Sequence, residues 1–250
     1  MKVQLIRNAT LLLEYNQQRI LIDPMLSPKH AFRSFAGISE NPTVDLPMSA
    51  DEVLTNIDAV IVSHLHPDHF DEPAQQALEK SLPLFTQPES EETIIGLGFT
   101  AVTAVKNTIT WEGIEITPTP GEHGFGEMIA RMGPVTGFVF RAEGEPTVYW
   151  AGDTVLYAGV EESIAAHQPD IIITHSGGAQ FGGPESLILM DTDATLAVAK
   201  QAPQATLIAV HMESLDHCPV TRAGLKAAAD EAGIGQKLLI PADGERLSFD

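Results

Sequence analysis

Ser63-His64-Leu65-His66-Pro67-Asp68-His69 is the stretch that decides how this chain reads. It follows Ala59-Val60-Ile61-Val62, a short apolar run of the kind that forms a buried strand. Three histidines and an aspartate within six residues gather imidazole and carboxylate donors, the ligand types of zinc and similar metals. A His-x-His spacing directly after a strand can point both imidazoles to one side. Pro67 stiffens the turn, so the chain can fold back and present Asp68 and His69 to the same cavity. With nine histidines spread over 250 residues, a chance cluster of this density is improbable.

One loop cannot surround an ion, so further ligands must come from downstream. Gly121-Glu122-His123-Gly124 follows an apolar and β-branched run at 114–119, with glycines on both sides of the histidine that allow close backbone approach. Asp153 follows the apolar run 147–150, and His211 closes the run 206–210. Each of these positions alone reads as an ordinary core, cap or turn residue. The shared order, a strand and then a metal-competent side chain, is what points to a metal site.

The remaining sequence supports a layered architecture. Residues 10–15 and 19–22 are two apolar runs joined by polar Asn16-Gln17-Gln18, a hairpin pattern ended by Asp23-Pro24. Residues 24–50 are rich in Pro and Ser and predict a long surface loop. A helix is expected over 73–82, β-type runs over 101–120 and 134–150, and a helix over 159–167. The strand 171–173, a helix over 191–201, the strand 206–210, a helix over 221–232 with Thr221 as cap and Gly233 as stop, and a last apolar run at 237–240 complete the series. Strands dominate the first half, and helix and strand alternate in the second. Two sheets with helices packed outside fit this order.

Composition narrows the partners. The 34 acidic and 14 basic residues give a formal charge of −20, which repels nucleic acid and anionic membranes. The expected partner is a small molecule, with an anion admissible because metal ions offset the charge locally, and a homo-oligomer is compatible with the chain. Cys218 is the single cysteine, so an internal disulfide is impossible. No signal-like segment or membrane-length apolar run is present, and a cytoplasmic protein is expected.

On these residues the chain resembles the metallo-β-lactamase-fold hydrolase superfamily. His64-x-His66-x-Asp68-His69 matches its signature, and His123, Asp153 and His211 occur in the family's order, each at the end of an expected strand. Asp23 after the hairpin matches a usual feature of the fold. A closer likeness is to the branch containing L-ascorbate-6-phosphate lactonase. It rests on Gly177-Gly178-Ala179, Met190-Asp191, the run His211-Met212-Glu213-Ser214-Leu215-Asp216-His217-Cys218, and Thr221-Arg222.

The resemblance covers essentially the whole chain. It implies an α/β (α+β) fold, a four-layer αβ/βα sandwich of two mixed sheets flanked by helices, as one domain over 1–250. It implies one ion held by His64, His66 and His123 and a second by Asp68, His69 and His211, with Asp153 bridging. Two divalent ions are expected, zinc by default, with manganese or iron compatible with the same ligands.

The mechanism expected from such a site is attack by an activated water on a small ester, lactone or phosphodiester. Asp68 would orient that water or accept its proton. His175 and His217, expected in loops after strands, are candidates to support the ligands or donate a proton. Cys218 reads as a passenger. Lys29, His30 and Arg33 in the long loop are candidate anion contacts, though solvated surface is the preferred reading; Arg131 and Arg222 are weaker candidates. An RNA-processing nuclease is disfavoured by the acidic balance, and a flavodiiron-like redox module by the histidine-rich ligand set and short length. A non-catalytic scaffold would be expected to have lost ligands, and none is missing.

Overall fold

The apolar runs pair into sheets, and the pairing explains their composition. The computed structural model describes residues 1–249. The early strands are β1 (Lys2–Arg7), β2 (Thr10–Tyr15), β3 (Gln18–Ile22), β4 (Ala59–Val62), β5 (Leu84–Thr86) and β6 (Val102–Ala104). The later ones are β7 (Ile109–Trp111), β8 (Ile114–Gly121), β9 (Val135–Arg141), β10 (Val148–Trp150), β11 (Ile171–His175), β12 (Thr206–Val210), β13 (Leu238–Leu239) and β14 (Arg246–Ser248). Among the described residues they form two seven-stranded sheets, ordered β14-β1-β2-β3-β4-β5-β6 and β13-β12-β11-β10-β9-β8-β7. Each sheet is mixed. Parallel pairing runs from β3 to β6 and from β10 to β13, and the other neighbours are antiparallel.

The helices are α1 (Ala50–Leu54), α2 (Glu72–Ala77), α3 (Glu91–Gly96), α4 (Glu127–Met132), α5 (Ala158–His167), α6 (Thr192–Gln201) and α7 (Arg222–Glu231). Val53, Ala74 and Ile94 from α1–α3 pack on the outer face of the first sheet against Leu21, Val60 and Val62. Ile164, Val198 and Leu225 from α5–α7 pack on the outer face of the second against Tyr149, Ile172 and Leu207. Between the sheets lies a third apolar layer, with Leu11, Ile20 and Ile61 facing Ile116, Phe138 and Trp150. The result is the four-layer sandwich. It also explains the unbroken Ala59-Val60-Ile61-Val62, because Ile61 enters the inter-sheet core while Val60 and Val62 face the helices.

Local chemistry fixes several boundaries. Asn16 and Gln17 take left-handed φ values of 46° and 64° between paired Tyr15 and Gln18, the geometry of a tight two-residue hairpin. Asp191 and Thr221 cap α6 and α7 by accepting from the amides of Ala194 and Gly224. The helix expected over 73–82 is shorter than predicted. It ends at Ala77 because Leu78 turns extended, ψ 136°, and buries its side chain in the outer core. Short, weakly patterned elements went unread in the sequence: β1, β5, β14, α1, α3 and α4. Among the described residues no helix is long and apolar enough to cross a membrane.

Candidate metal centre

The strands that matter point the same way. β1, β3 and β4 in one sheet and β8, β10, β11 and β12 in the other all end at one edge of the sandwich, where loops leave their carboxyl ends. Asn8, Asp23, His64–His69, His123, Asp153, His175 and His211 all lie at or just beyond these ends. Asn8, Asp23 and His211 hold left-handed φ values of 58°, 46° and 63°. Such strain at several positions of one site is the kind that surrounding structure must enforce.

All seven residues expected as metal ligands converge. His64, His66, His123 and Asp153 form one group whose donor atoms lie within 4.8 Å of one another, and His69, Asp153, His175 and His211 form a second. Asp153 belongs to both. Its Oδ2 is 3.1 Å from His69 Nε2, 3.3 Å from His123 Nε2 and 3.8 Å from His64 Nε2. Asp68 Oδ2 adjoins the second group, 3.2 Å from His211 Nε2 and 3.4 Å from His69 Nε2. Except for the half-buried His66, these side chains are buried.

The hydrogen bonds behind the imidazoles test whether the site suits cations. His123 Nδ1 lies 2.8 Å from the Ile188 carbonyl, which can only accept, so Nδ1 carries the hydrogen and Nε2 presents a lone pair. His69 Nδ1 lies 2.7 Å from the Asp23 carboxylate, which takes that hydrogen and turns Nε2 toward Asp68 and Asp153. Ser63 Oγ donates to Asp23 at 2.8 Å and accepts from His64 Nδ1 at 2.9 Å, which again leaves a lone pair on His64 Nε2, a buried atom with no hydrogen-bond partner. At His64 and His123, neutral imidazoles therefore aim lone pairs at the Asp153 carboxylate, an arrangement that repels unless positive charge lies between. A set of nitrogen and carboxylate donors fixed in this way fits divalent metal ions.

The electrostatics follow from burial and this crowding. Burial pushes His64 well below the usual histidine range and His123 down to about 4. For His69 burial acts the same way, but Asp153, Asp68 and Asp23 overcome it and hold the imidazole well above that range. Asp153, despite its burial, is held well below the usual carboxylate range by His69, His211 and His123. Asp68 is held well below it too, chiefly by His69 and His211. The field that retains a proton on His69 is one that equally retains a metal cation.

Two glycines make the geometry possible. Gly124, at φ 118°, would place a Cβ 2.6 Å from that of Met128, and Gly177 would place one 2.2 Å from the His211 carbonyl oxygen. Larger residues would push the His123 and His211 loops apart.

Beside the ligands lies a small cavity of about 120 Å³. His66, Asp68, His123, Asp153 and His217 form its polar side, and Phe35, Pro67, Met132, Phe181, Ile188 and Leu189 its apolar side. His217 is held between two rings, edge-on to Phe35 at 5.1 Å and stacked on Phe181 at 5.5 Å. Phe35 reaches the cavity because the long loop is tied down twice. Arg7 donates to the carbonyls of Met25, Ser27 and Val44, and the Asp216 carboxylate accepts from Ser34 Oγ and from the amides of Phe35, Ala36 and Ser39.

The remaining candidates take their places here, some as expected and some not. Lys29, His30 and Arg33 are exposed, and none lines the cavity; the loop contributes Phe35 instead. Arg222 is engaged structurally by Glu213 and Asp243, and Arg131 lies 5.1 Å over the Phe181 ring. His175 is not in a loop but is the last residue of β11, fully buried, with Nδ1 2.6 Å from Asp153 Oδ1. Cys218 is buried, with Sγ 3.8 Å from His211 Nδ1, and burial raises its thiol well above the ordinary range, which leaves it a poor nucleophile. Asn8 was missed. Its amide donates to the Asp68 carbonyl at 3.3 Å and lies 3.3 Å from His211 Nε2. The only trace in the sequence is an asparagine, a residue that tolerates left-handed turns, between two apolar runs.

Comparison with known proteins identifies the family and the fold. Residues 18–212 match the family described as the beta-lactamase superfamily domain. The UPF0173 protein YddR of Bacillus subtilis is 40% identical over 255 residues, covering all of both chains. The crystal structure of an isothiocyanate hydrolase from Delia radicum gut bacteria superposes with a TM-score of 0.95 at 39% identity, covering 100% of this chain and 99% of that one. A possible metal-dependent hydrolase from Veillonella parvula superposes with a TM-score of 0.96 at 35% identity and the same coverage.

Proposed function

Because the chain belongs to the beta-lactamase superfamily and is a metal-dependent hydrolase of that fold, we propose that it adds water to an electrophilic carbon of a small uncharged substrate at a two-ion centre, with organic isothiocyanates as the leading substrate class. The observation that carries this reading is the cavity wall. Among the described residues no lysine or arginine lines it, and six of its eleven residues are apolar. Beyond the ions themselves a phosphodiester would find no cationic side chain to meet its charge, whereas an alkyl or aryl substituent finds Phe35, Phe181 and Met132. The isothiocyanate class comes from the relative that bears that name and is 39% identical to this chain.

His64, His66 and His123 would hold one ion, Asp68, His69 and His211 the other, and Asp153 both. When bound, the two ions supply a water acidic enough to attack near neutral pH and positive charge that offsets what develops in the transition state. The chain's own groups do the rest. Asp68, on the cavity wall and held as a carboxylate, would orient a water or accept its proton. His217, fixed between Phe35 and Phe181, can pass a proton to a departing nitrogen. For R–N=C=S, a C–O bond forms at the central carbon and the C–N bond breaks. Both water protons end on nitrogen, and the products are R–NH2 and O=C=S.

The test is a substrate panel on zinc- and manganese-loaded protein: benzyl isothiocyanate, a simple lactone, an aryl ester and an aryl phosphodiester. Amine release from the isothiocyanate, abolished in His66→Ala together with metal content, is the expected result. Turnover of the phosphodiester alone, or of nothing in fully metal-loaded protein, overturns the reading. Elemental analysis of the same preparations decides between one ion and two.

A further inference from the structure

His175 has no place in the ligand set implied by the family signature, yet it touches the residue shared by both ligand groups. Its Nδ1 is 2.6 Å from Asp153 Oδ1, and its ring stands edge-on to Trp150 at 5.2 Å and nearly parallel to His69 at 5.8 Å. Its Nε2 is buried and has no hydrogen-bond partner.

That orphan atom fixes the tautomer. With the hydrogen on Nε2, the ring would bury an unpaired N–H and turn a lone pair toward a carboxylate oxygen at 2.6 Å, two separate penalties. With the hydrogen on Nδ1, the carboxylate is satisfied and only an acceptor lone pair goes unpaired, a single penalty instead of two. The Nδ1–H therefore donates to Asp153, and that nitrogen is not available to a cation, although His175 falls in the second ligand group with His69, Asp153 and His211.

We propose that His175 is a positioning residue that occupies Asp153 Oδ1 and thereby leaves Asp153 Oδ2 as the atom shared between the two ligand groups. Oδ2 stands 3.1 Å from His69 Nε2 on one side and 3.3 Å from His123 Nε2 on the other, whereas Oδ1 reaches only His211 at 3.7 Å apart from His175 itself. Trp150, stacked on Phe138 in the inter-sheet core, walls the imidazole from one side, so the position of Oδ2 is set by the packing of the sandwich. The inference rests on the two-ion reading.

The experiment uses full-length wild type, His175→Leu and His175→Asn, stripped of metal and titrated with Co2+ while the visible spectrum is recorded. Circular dichroism checks folding, and elemental analysis gives stoichiometry after zinc loading. Leucine removes the donor, while the asparagine amide keeps an N–H near the Nδ1 position. The expected result is a 10–100-fold loss of Co2+ affinity and a changed spectrum in His175→Leu, about the size seen when a partner of a metal ligand is removed. His175→Asn recovers affinity to within a few fold, together with the wild-type spectrum. Wild-type binding by His175→Leu overturns the inference, and so does a His175→Asn protein as deficient as the leucine variant, which marks His175 as a direct ligand. If the leucine variant does not fold, His175→Asn decides alone by the same criterion. A wild type that binds one ion overturns the two-ion reading instead, while the affinity order of the three proteins still decides the role of His175.

Discussion

At the level of single residues, the centre is organised by what stands behind each imidazole. Asp23 serves two ligands, directly through His69 and by way of Ser63 through His64. Replacing Asp23 with Ala should lower metal affinity 10–100-fold although the residue reaches no metal itself. Metal titration of the purified variant checks this, and unchanged affinity would mean the imidazoles need no such support. A second expectation concerns pH. His123 is pushed from its ordinary 6.5 to about 4 by burial, so the unfolded chain binds more protons than the folded one between those values. Its contribution to the stability of the metal-free protein is complete above pH 6.5 and is lost as pH falls toward about 4. His69 is shifted upward and acts with opposite sign, so the informative quantity is a difference. Melting curves of metal-free wild type and His123→Gln should converge as pH falls through this window; parallel curves would remove His123 as the cause.

At the level of elements, the long loop between β3 and α1 is the part most open to tuning. It carries Phe35 to the cavity and is fastened through Asp216, whose carboxylate is held well below its usual range, against the effect of burial, by Ser34, Asn41 and the loop amides. Asp216→Ala should cost about 2 kcal/mol, the scale of hydrogen bonds to a charged group, and should speed hydrogen exchange at the amides of Phe35, Ala36 and Ser39. Protection unchanged at those amides would show that Arg7 alone fastens the loop. On the proposed reading, Phe35→Ala should raise KM for an aryl isothiocyanate about tenfold, equal to about 1.4 kcal/mol of lost apolar contact, with kcat little changed. A loss confined to kcat would place Phe35 in the chemistry rather than in binding.

At the level of the whole molecule, the centre belongs to neither sheet alone. Asp23, His64 and His69 come from one sheet and His123, Asp153 and His211 from the other, so ligand binding should clamp the two halves together. Removing metal with a chelator is expected to lower the melting temperature by on the order of 10 °C, the consequence of a ligand that binds only the folded state at a large excess over its Kd. The converse is that the sandwich core holds the site. Trp150 is fully buried between the sheets and packs on both Phe138 and His175. Trp150→Ala should cost about 3–5 kcal/mol by denaturant unfolding and weaken metal binding with it.

The sequence by itself determined the candidate donor residues and the layered architecture. Densely spaced histidines after an apolar strand, and single histidines or aspartates after others, carry a signal because metal chemistry restricts residue type and strand ends restrict position. The two-sided burial of Ala59-Val60-Ile61-Val62 and the caps at Asp191 and Thr221 are equally local and equally legible. Only the tertiary structure decided what surrounds those donors. The apolar cavity wall assembles from Phe35, Met132, Phe181 and Ile188, side chains on three separate segments with no common spacing. Asn8 and His175 take their parts through contacts with Asp68 and Asp153, at sequence separations of 60 and 22 residues. The short elements β5, α3 and α4 were unreadable because too few residues repeat for a period to emerge. Pairing across the sheets and packing between the loops, rather than propensity, hold them where they are.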